Sequence, residues 1–206
     1  MSNLIETMRT FMNAIVADAD HETYPVDVRS ELESEVALAR DAYPDAVIEV
    51  RDFPGESTRA VADDLVGEVF ENVLSNAVVH NDGDAPHVEV WASETTHEVR
   101  VDPESGEVRP ARSPVPTDAS TAVRARDAIA VHVADDGPGI SDAEKEAVLE
   151  KGVSELSEPG NGFGPYLVKE MMQAYGGTVD IRDADGSDGG TVFDLVFLRP
   201  EPSGET

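Results

Sequence analysis

The sequence contains no cysteine, few lysines and no long apolar run. Without cysteine, disulfide bridges and cysteine-ligated metals are excluded. No apolar stretch approaches the length that a membrane-spanning helix needs, and residues 1–9 lack the basic start and apolar block of a signal peptide. We therefore expect a soluble, cytoplasmic protein with no direct membrane insertion.

Basic residues are scarce overall: 15 lysines and arginines stand against 43 acidic residues, which gives a formal net charge of −28. A surface this acidic repels nucleic acid and anionic membranes. The acidic residues are spread along the chain rather than gathered in one tail, so a solvating tail does not explain them. This pattern is typical of salt-in halophiles, in which molar salt screens self-repulsion. The alternative is an ordinary domain with an acidic partner-binding face.

The length of the chain and its apolar segments predict one sizeable hydrophobic core that contains both helices and strands. Apolar periodicity predicts helices at 2–19, 27–42, 63–80, 141–151 and 165–175, with Asp63 or Asp64 as the cap of the third helix. Alternation predicts strands at 47–51 and 87–92, and an apolar-rich run predicts one at 128–135. Two more strands are predicted at 178–182 and 191–198, on either side of a turn rich in aspartate and glycine. This order predicts an α+β fold, a two-layer α/β sandwich with a mixed sheet and helices on one face, plus an N-terminal helix.

Residues 93–127 have the weakest pattern. Val99–Val101 and Glu107–Arg109 flank an Asp102–Gly106 turn and are predicted to form a hairpin, while residues 110–120 read as a loop rich in proline, serine and threonine.

Two asparagines one turn apart, Asn72 and Asn76, interrupt an otherwise apolar helix. Asparagine is a poor helix former, because its side chain competes for backbone hydrogen bonds. With Glu68 and His80 these residues form one row at a spacing of four. Amide oxygens are suitable ligands for a magnesium ion that keeps several waters. The alternative is that the asparagines only bond loop backbone.

Two glycine motifs follow. A predicted strand ends in Asp135–Asp136 and then Gly137–Pro138–Gly139, where a carboxylate could accept a hydrogen bond from an exocyclic amine; the alternative is a simple turn. Further on, Gly160, Gly162 and Gly164 precede a helix, as in a phosphate-binding loop, or else as a merely flexible loop. No strand leads directly into this second loop, which argues against a Rossmann fold.

Taken together, the order and spacing of these motifs resemble the GHKL (Bergerat-fold) ATPase superfamily and, within it, the catalytic domain of sensor histidine kinases. ENVLSNAVVH (71–80) resembles the N box, DDGPGI (135–140) the G1 box, GNGFGPYLV (160–168) the G2 box and GTVFDLVF (190–197) the terminal strand. The resemblance implies an ATP-binding domain at 27–199 with an insertion at 93–127, followed by a disordered tail at 200–206.

The resemblance also implies ATP and Mg²⁺ as cofactors and assigns roles to residues. Asn72 and Asn76 are the implied catalytic Mg²⁺ ligands, Asp135 binds the adenine amine, and residues 141–160 form a lid over ATP. The other implied ATP-binding residues are His80, Gly137, Gly139, Gly160, Asn161, Gly162, Phe163, Gly164 and Thr191.

The chain departs from the family pattern at several places. Val79 stands where the family usually has a lysine near the phosphates, and His80 replaces an aromatic residue. Pro165 alters the end of the G2 box, and no clear F box is present, although Val148–Val153 occupies its place.

A histidine kinase also needs a phosphoacceptor histidine. His21, in HETYP, is rejected, because its proline falls one residue early and no second hairpin helix of adequate length follows. Helix 2–19 is interpreted instead as the second helix of a partial dimerisation hairpin at 1–24, which makes a homodimer through 2–19 possible. The histidine would then lie upstream or on another chain, and a response regulator would receive the phosphoryl group.

Three functions remain open at this stage. The first is histidine kinase catalysis, and the second is a non-phosphorylating ATP-sensing or scaffold module. The third is another GHKL enzyme, such as an anti-sigma-type serine kinase or a strand-passage ATPase; the short chain and helix 2–19 argue against it.

Overall fold

The computed structural model describes residues 23–55, 58–102, 108–111, 122–151, 164–185 and 189–201. Its strands are β1 (Tyr24–Asp27), β2 (Val47–Val50), β3 (Arg59–Ala62), β4 (His87–Val101), β5 (Val108–Pro110), β6 (Ala122–Asp135), β7 (Thr178–Asp183) and β8 (Thr191–Leu198). Its helices are α1 (Val28–Ala42), α2 (Val66–Val79), α3 (Asp142–Lys151) and α4 (Gly164–Ala174). The predicted helix at 2–19 and His21 lie outside the described residues.

The main sheet has the strand order β2–β4–β6–β8–β7, and β5 pairs with the far end of β4. β2 runs parallel to β4, whereas the β4–β6, β6–β8 and β7–β8 pairs are antiparallel. This mixed sheet confirms the predicted α+β class, and β8 has the predicted bounds. None of the helices within the described ranges is long and apolar enough to span a membrane.

Helices α1, α2 and α4 cover one face of the sheet. Alternate residues of β4, among them Val88 and Val90, are buried beneath them together with β8 side chains. Phe70 of α2 and Phe197 of β8 lie at the centre of this core, with ring centroids 5.9 Å apart. Burying one such side chain contributes about 1.5–3 kcal/mol, so the helical layer is fixed firmly against the sheet.

A second, two-stranded sheet of β1 and β3 was not predicted. The strands pair antiparallel, with Tyr24 opposite Ala62. β1 leads directly into α1, whose N-cap Asp27 accepts the N–H of Arg29 at 3.2 Å and the hydroxyl of Thr58 at 2.5 Å. The Thr58 hydrogen bond in particular lowers the pKa of Asp27.

The segment that was hardest to interpret from sequence extends two core strands. β4 and β6 pair without interruption from Val88↔Asp135 to Val101↔Ala122, well beyond the predicted strand ends at Ala92 and Ala128. Pairing of Val99–Val101 with Val108–Pro110 confirms the predicted hairpin. The predicted loop at 110–120 lies outside the described residues from 112 onward.

The predicted cap of α2 is wrong. The helix begins at Val66, and Leu65 occupies the cap position without a side-chain hydrogen bond to the helix. Asp63 instead accepts the N–H of Leu65 at 2.8 Å and the hydroxyl of Tyr175 at 2.5 Å, so its carboxylate joins the loop before α2 to the end of α4.

At the C-terminus, the residues predicted to form a disordered tail are described only at Pro200 and Glu201. A carboxylate oxygen of Glu201 lies 3.7 Å from Nε of Arg126 on β6.

Candidate functional site

Helix α2 carries both asparagines, half-buried, on the side that faces the start of α4. The Nδ2 atom of Asn72 donates to the backbone carbonyl of Glu68 at 2.7 Å. This bond fixes the orientation of the amide, so the Oδ1 atom of Asn72 points away from its own helix. Local helical geometry therefore presents an amide oxygen one turn before Asn76.

The first residue of α4 lies directly against these two side chains. A β-carbon on Gly164 would be 2.7 Å from Oδ1 of Asn72 and 3.3 Å from Nδ2 of Asn76. Only glycine leaves this space free without displacing a side chain. The structure thus brings the N-box asparagines and the last glycine of the predicted phosphate loop together, as the resemblance implies; Gly160, Asn161, Gly162 and Phe163 lie outside the described residues.

Asn76 has an unsatisfied polar atom: its Nδ2 is buried without a hydrogen-bond partner in the described part of the chain. An unpaired buried donor costs on the order of 1–3 kcal/mol, so such an atom points to a missing ligand. Rotating the amide would present its oxygen instead. Two amide oxygens one turn apart fit a hydrated Mg²⁺ ion, and an unpaired amide donor fits a phosphate oxygen.

The second part of the site is at the end of β6. Oδ1 of Asp135 accepts the backbone N–H groups of Gly137 at 2.9 Å and Thr191 at 3.3 Å. None of the described residues donates to Oδ2, which is thus available for an exocyclic amine. Burial raises the pKa of Asp135 above its ordinary value, although both backbone bonds oppose the rise. Thr191, which is itself 3% exposed, therefore holds the carboxylate in place through its main chain.

A cavity of about 430 Å³ opens between the turn after β6 and the connection from β7 to β8. Its lining consists of Pro138, Gly139, Ile140, Ser141, Asp183, Ala184, Gly189 and Gly190. Gly139 has φ +79°, and a β-carbon there would lie 3.5 Å from the backbone of Gly190. The cavity reaches the predicted adenine side of the site and does not include the asparagines.

The adjacent acidic residue has a different role. Asp136 accepts the side-chain N–H of Asn81 at 2.6 Å and the backbone N–H of His87 at 2.9 Å. Burial alone would raise the pKa of Asp136, but these hydrogen bonds hold it below its usual value. Asp136 and Asn81 thereby join the end of α2 to the turn that carries Asp135. Sequence reasoning missed Asn81, although its place beside His80 was a usable signal.

The C-terminal end of α2 offers little positive charge. Val79 is 45% exposed and uncharged at the place where a lysine was expected. His80 is also exposed, and its backbone N–H donates to the carbonyl of Asn76 at 3.2 Å. In the structure His80 is thus a helix-terminating residue near the site.

The predicted lid begins with α3. Ser141 precedes the helix, and its hydroxyl donates to the carboxylate of Glu144. Lys145 lies 2.7 Å from Asp142 and 2.8 Å from Asp183 of β7, so it fastens the start of the lid segment to the sheet. Residues 152–163 of the predicted lid and G2 loop lie outside the described residues.

Comparison with known proteins defines the class. Residues 61–202 match the family described as "Histidine kinase-, DNA gyrase B-, and HSP90-like ATPase". Since this match spans more than half of the chain, the protein belongs to that family, which confirms the resemblance seen in the N, G1 and G2 boxes.

Individual proteins with similar sequences include sensor histidine kinases. The chain is 38% identical over 78 residues to the signal transduction histidine-protein kinase/phosphatase MprB of Mycolicibacterium vanbaalenii, a segment that is 35% of this chain and 16% of that protein. It is 32% identical over 79 residues to the sensor histidine kinase DpiB of Escherichia coli, covering 37% and 14% of the two chains. The matched segments are thus about one sixth of these relatives or less.

Solved structures show the same fold. The mycobacterial sensor histidine kinase MprB superposes with a TM-score of 0.61 at 21% identity, covering 86% of this chain and 99% of that one. Full-length ShkA in complex with AMPPNP gives a TM-score of 0.61 at 19% identity, covering 96% of this chain and 36% of that one. The fold is therefore that of histidine kinase catalytic domains.

Proposed function

We propose that this domain binds MgATP and transfers its γ-phosphoryl group to a histidine on a two-helix hairpin outside the described residues. The observation that carries the proposal is the contact of Asn72 and Asn76 with Gly164, which supports a site with a metal ion at one end and phosphates at the other. Family membership and the sensor kinases among its relatives support it.

In this proposal each described residue has a defined task. Asn72 and Asn76 hold the hydrated Mg²⁺, and the unpaired amide of Asn76 gains a partner. Asp135 accepts the adenine amine through Oδ2 while Thr191 and Gly137 hold Oδ1, and Gly139 lets the ring approach the backbone. Mg²⁺ would neutralise charge on the phosphates, so the domain contributes positioning and electrostatics rather than a covalent intermediate.

The partners follow from the same proposal. A hairpin histidine receives the phosphoryl group and passes it to an aspartate of a response regulator, in the cytoplasm. The proposal includes the sequence prediction that residues 2–19 belong to such a hairpin and to a homodimer, since two hairpins that pack together make a four-helix bundle.

One observation favours a second candidate, an ATP-sensing or scaffold module without transfer. Val79 places an uncharged, exposed side chain where the family's lysine would meet the phosphates. On this alternative the domain binds MgATP but does not phosphorylate any hairpin.

Phosphoryl transfer from γ-labelled ATP distinguishes the two. The protein is incubated in molar KCl with hairpin domains that carry a phosphorylatable histidine, alongside Asn76→Ala and the control Ser75→Ala. Ser75 shares the helix but bonds Tyr43 at 3.0 Å, away from the site. Acid-labile label on a hairpin with the unmutated protein and Ser75→Ala, and none with Asn76→Ala, supports kinase function. Retained MgATP binding with no label on any hairpin supports the scaffold.

A further inference from the structure

A serine, a histidine and an aspartate meet on the sheet face opposite the helices. Ser93 of β4 lies with its Oγ 2.9 Å from Nε2 of His132 on β6. Nδ1 of the same imidazole lies 2.6 Å from Oδ1 of Asp194 on β8. The sheet register sets this arrangement, since His132 is directly opposite Asp194 on one side and Trp91 on the other.

The proton positions in this triad follow from the charge on Asp194. Burial alone would raise the pKa of Asp194, but hydrogen bonds from His132 and Arg182 hold it below its usual value. The ionised carboxylate therefore accepts the Nδ1–H of His132. In the neutral imidazole, Nε2 is then the acceptor and faces the Ser93 hydroxyl.

The triad is held from several sides. Nε of Arg182 donates to Oδ2 of Asp194 at 2.8 Å, which leaves Oδ1 for the histidine. The indole of Trp91 stacks on the imidazole with centroids 5.0 Å apart and an interplanar angle of 23°. The His132 side chain is only 14% exposed and that of Asp194 19%, so the ring has little freedom to turn.

Space for a small molecule lies against Trp91, the residue that stacks on His132. A cleft of about 250 Å³ is lined by Arg51, Asp52, Glu89, Trp91 and Ala92. Trp91 lies two residues before Ser93 on the same face of β4 and stacks on His132, so it joins the cleft to the triad, whose own three residues are not in the cleft lining. Ser93 is itself partly exposed.

We propose that Ser93 is an activated nucleophile and an acylation site for small, uncharged aryl esters. Ser93 Oγ forms a bond to the acyl carbon while His132 Nε2 takes the hydroxyl proton. The bond between the acyl carbon and the oxygen of the aryloxy group breaks, and the departing phenolate takes up that proton. Ser93 lies within a paired strand, where backbone N–H donors for an oxyanion are not grouped, so one acylation per chain is expected rather than rapid turnover. The proposal is independent of nucleotide binding.

The test uses p-nitrophenyl acetate on the full chain, with release of nitrophenolate followed by light absorption and the acetylated positions mapped by mass spectrometry of peptides. Ser34 is an internal control, because its hydroxyl donates to the Ser30 carbonyl at 2.9 Å and has no basic partner among the described residues. General-base catalysis typically raises a reaction rate by about 10²- to 10⁴-fold, so Ser93 should be acetylated at least about 100-fold faster than Ser34.

The variants identify the mechanism. Ser93→Ala should remove the fast phase, and Asp194→Asn should slow it about 100-fold or more by disturbing the histidine tautomer. Circular dichroism of each variant checks that the fold is retained. Equal acetylation of Ser93 and Ser34 in the unmutated protein, which requires no variant, would overturn the proposal, as would a fast phase that persists in Ser93→Ala.

Discussion

The Oδ1 atom of Asn72 lies so close to Gly164 that a β-carbon there would be 2.7 Å away. This contact joins α2, which carries the N box, to α4, which follows the glycine-rich loop. In the proposed site, the bare backbone at residue 164 leaves the asparagine amides free to face a ligand.

Gly164→Ala should therefore abolish MgATP binding while leaving the fold intact. Alanine would push the Asn72 amide aside, yet it is the better helix former by about 1 kcal/mol. The measurement is MgATP affinity by calorimetry together with thermal unfolding. Gly67→Ala is the matched control, because Gly67 is also helical and its β-carbon would meet only the Glu35 side chain, at 3.1 Å. Unchanged affinity in Gly164→Ala would show that the contact is incidental.

Asp135→Asn should weaken MgATP binding by about 10- to 100-fold, the value of a hydrogen bond to a charged acceptor. Since burial raises the pKa of Asp135, its ionised form disfavours folding, and the neutral asparagine should not lower the melting temperature. For the same reason, binding by the unmutated protein should weaken as pH falls through this raised pKa, at a higher pH than an ordinary aspartate would give.

Asp136→Asn should affect stability differently from Asp135→Asn. The folded-state pKa of Asp136 is lowered, so its carboxylate stabilises the fold above the unfolded pKa, and that stability is lost as pH falls through the folded pKa. Its replacement should lower the melting temperature at neutral pH. Calorimetric binding and unfolding of both variants across acidic to neutral pH check the pair, and identical behaviour would contradict the roles assigned to them.

Tyr175→Phe should destabilise the protein by about 1–3 kcal/mol, because it removes a hydroxyl that donates to the buried carboxylate of Asp63 at 2.5 Å. Burial and this bond both raise the pKa of Tyr175, which keeps the phenol protonated. Tyr24→Phe is the control, since the Tyr24 hydroxyl donates to Asp64 from an exposed position and should matter much less. Urea unfolding measures the free energy of unfolding of both variants. Equal losses would contradict the larger contribution assigned to the Tyr175 hydroxyl.

The melting temperature should rise with KCl, because about 1 M salt shortens the screening length to about 3 Å and weakens the repulsion within a chain of net charge −28. Glu35→Gln should raise the melting temperature at low salt in particular, since burial and then repulsion from Glu71 and Glu68 raise the pKa of Glu35. Glu33→Gln should not, because Glu33 is paired with Arg29 at 2.7 Å. A melting temperature independent of KCl would contradict the halophilic interpretation.

Strong local patterns made much of the fold predictable from sequence. β8 is apolar over most of its length and was predicted with its observed bounds. The apolar stripes of α1 and α4 predicted the bounds of these helices to within a residue or two. β1 and β3 were missed because each has only four residues and exists through pairing with a distant strand. The extensions of β4 and β6 were missed because their side chains are mostly polar and partly exposed on both faces.

The site was predictable where its residues cluster in short motifs. Asn72, Asn76 and Asp135 could be proposed from sequence because helical spacing and a strand end express their chemistry locally. Ser93, His132 and Asp194 carry no local signal, since three strands bring them together from distant parts of the chain. The cap of α2 was mispredicted because Asp63 bonds Leu65 and Tyr175 instead of the helix.

The most direct test of the account is calorimetric titration of MgATP into the full chain in molar KCl, with Asn76→Ala, Asp135→Ala and the control Ser75→Ala. The account predicts binding by the unmutated protein and by Ser75→Ala, with binding lost in both site variants although thermal unfolding shows that they are folded. Binding that survives in Asn76→Ala and Asp135→Ala, or a folded unmutated protein that does not bind MgATP, would contradict it.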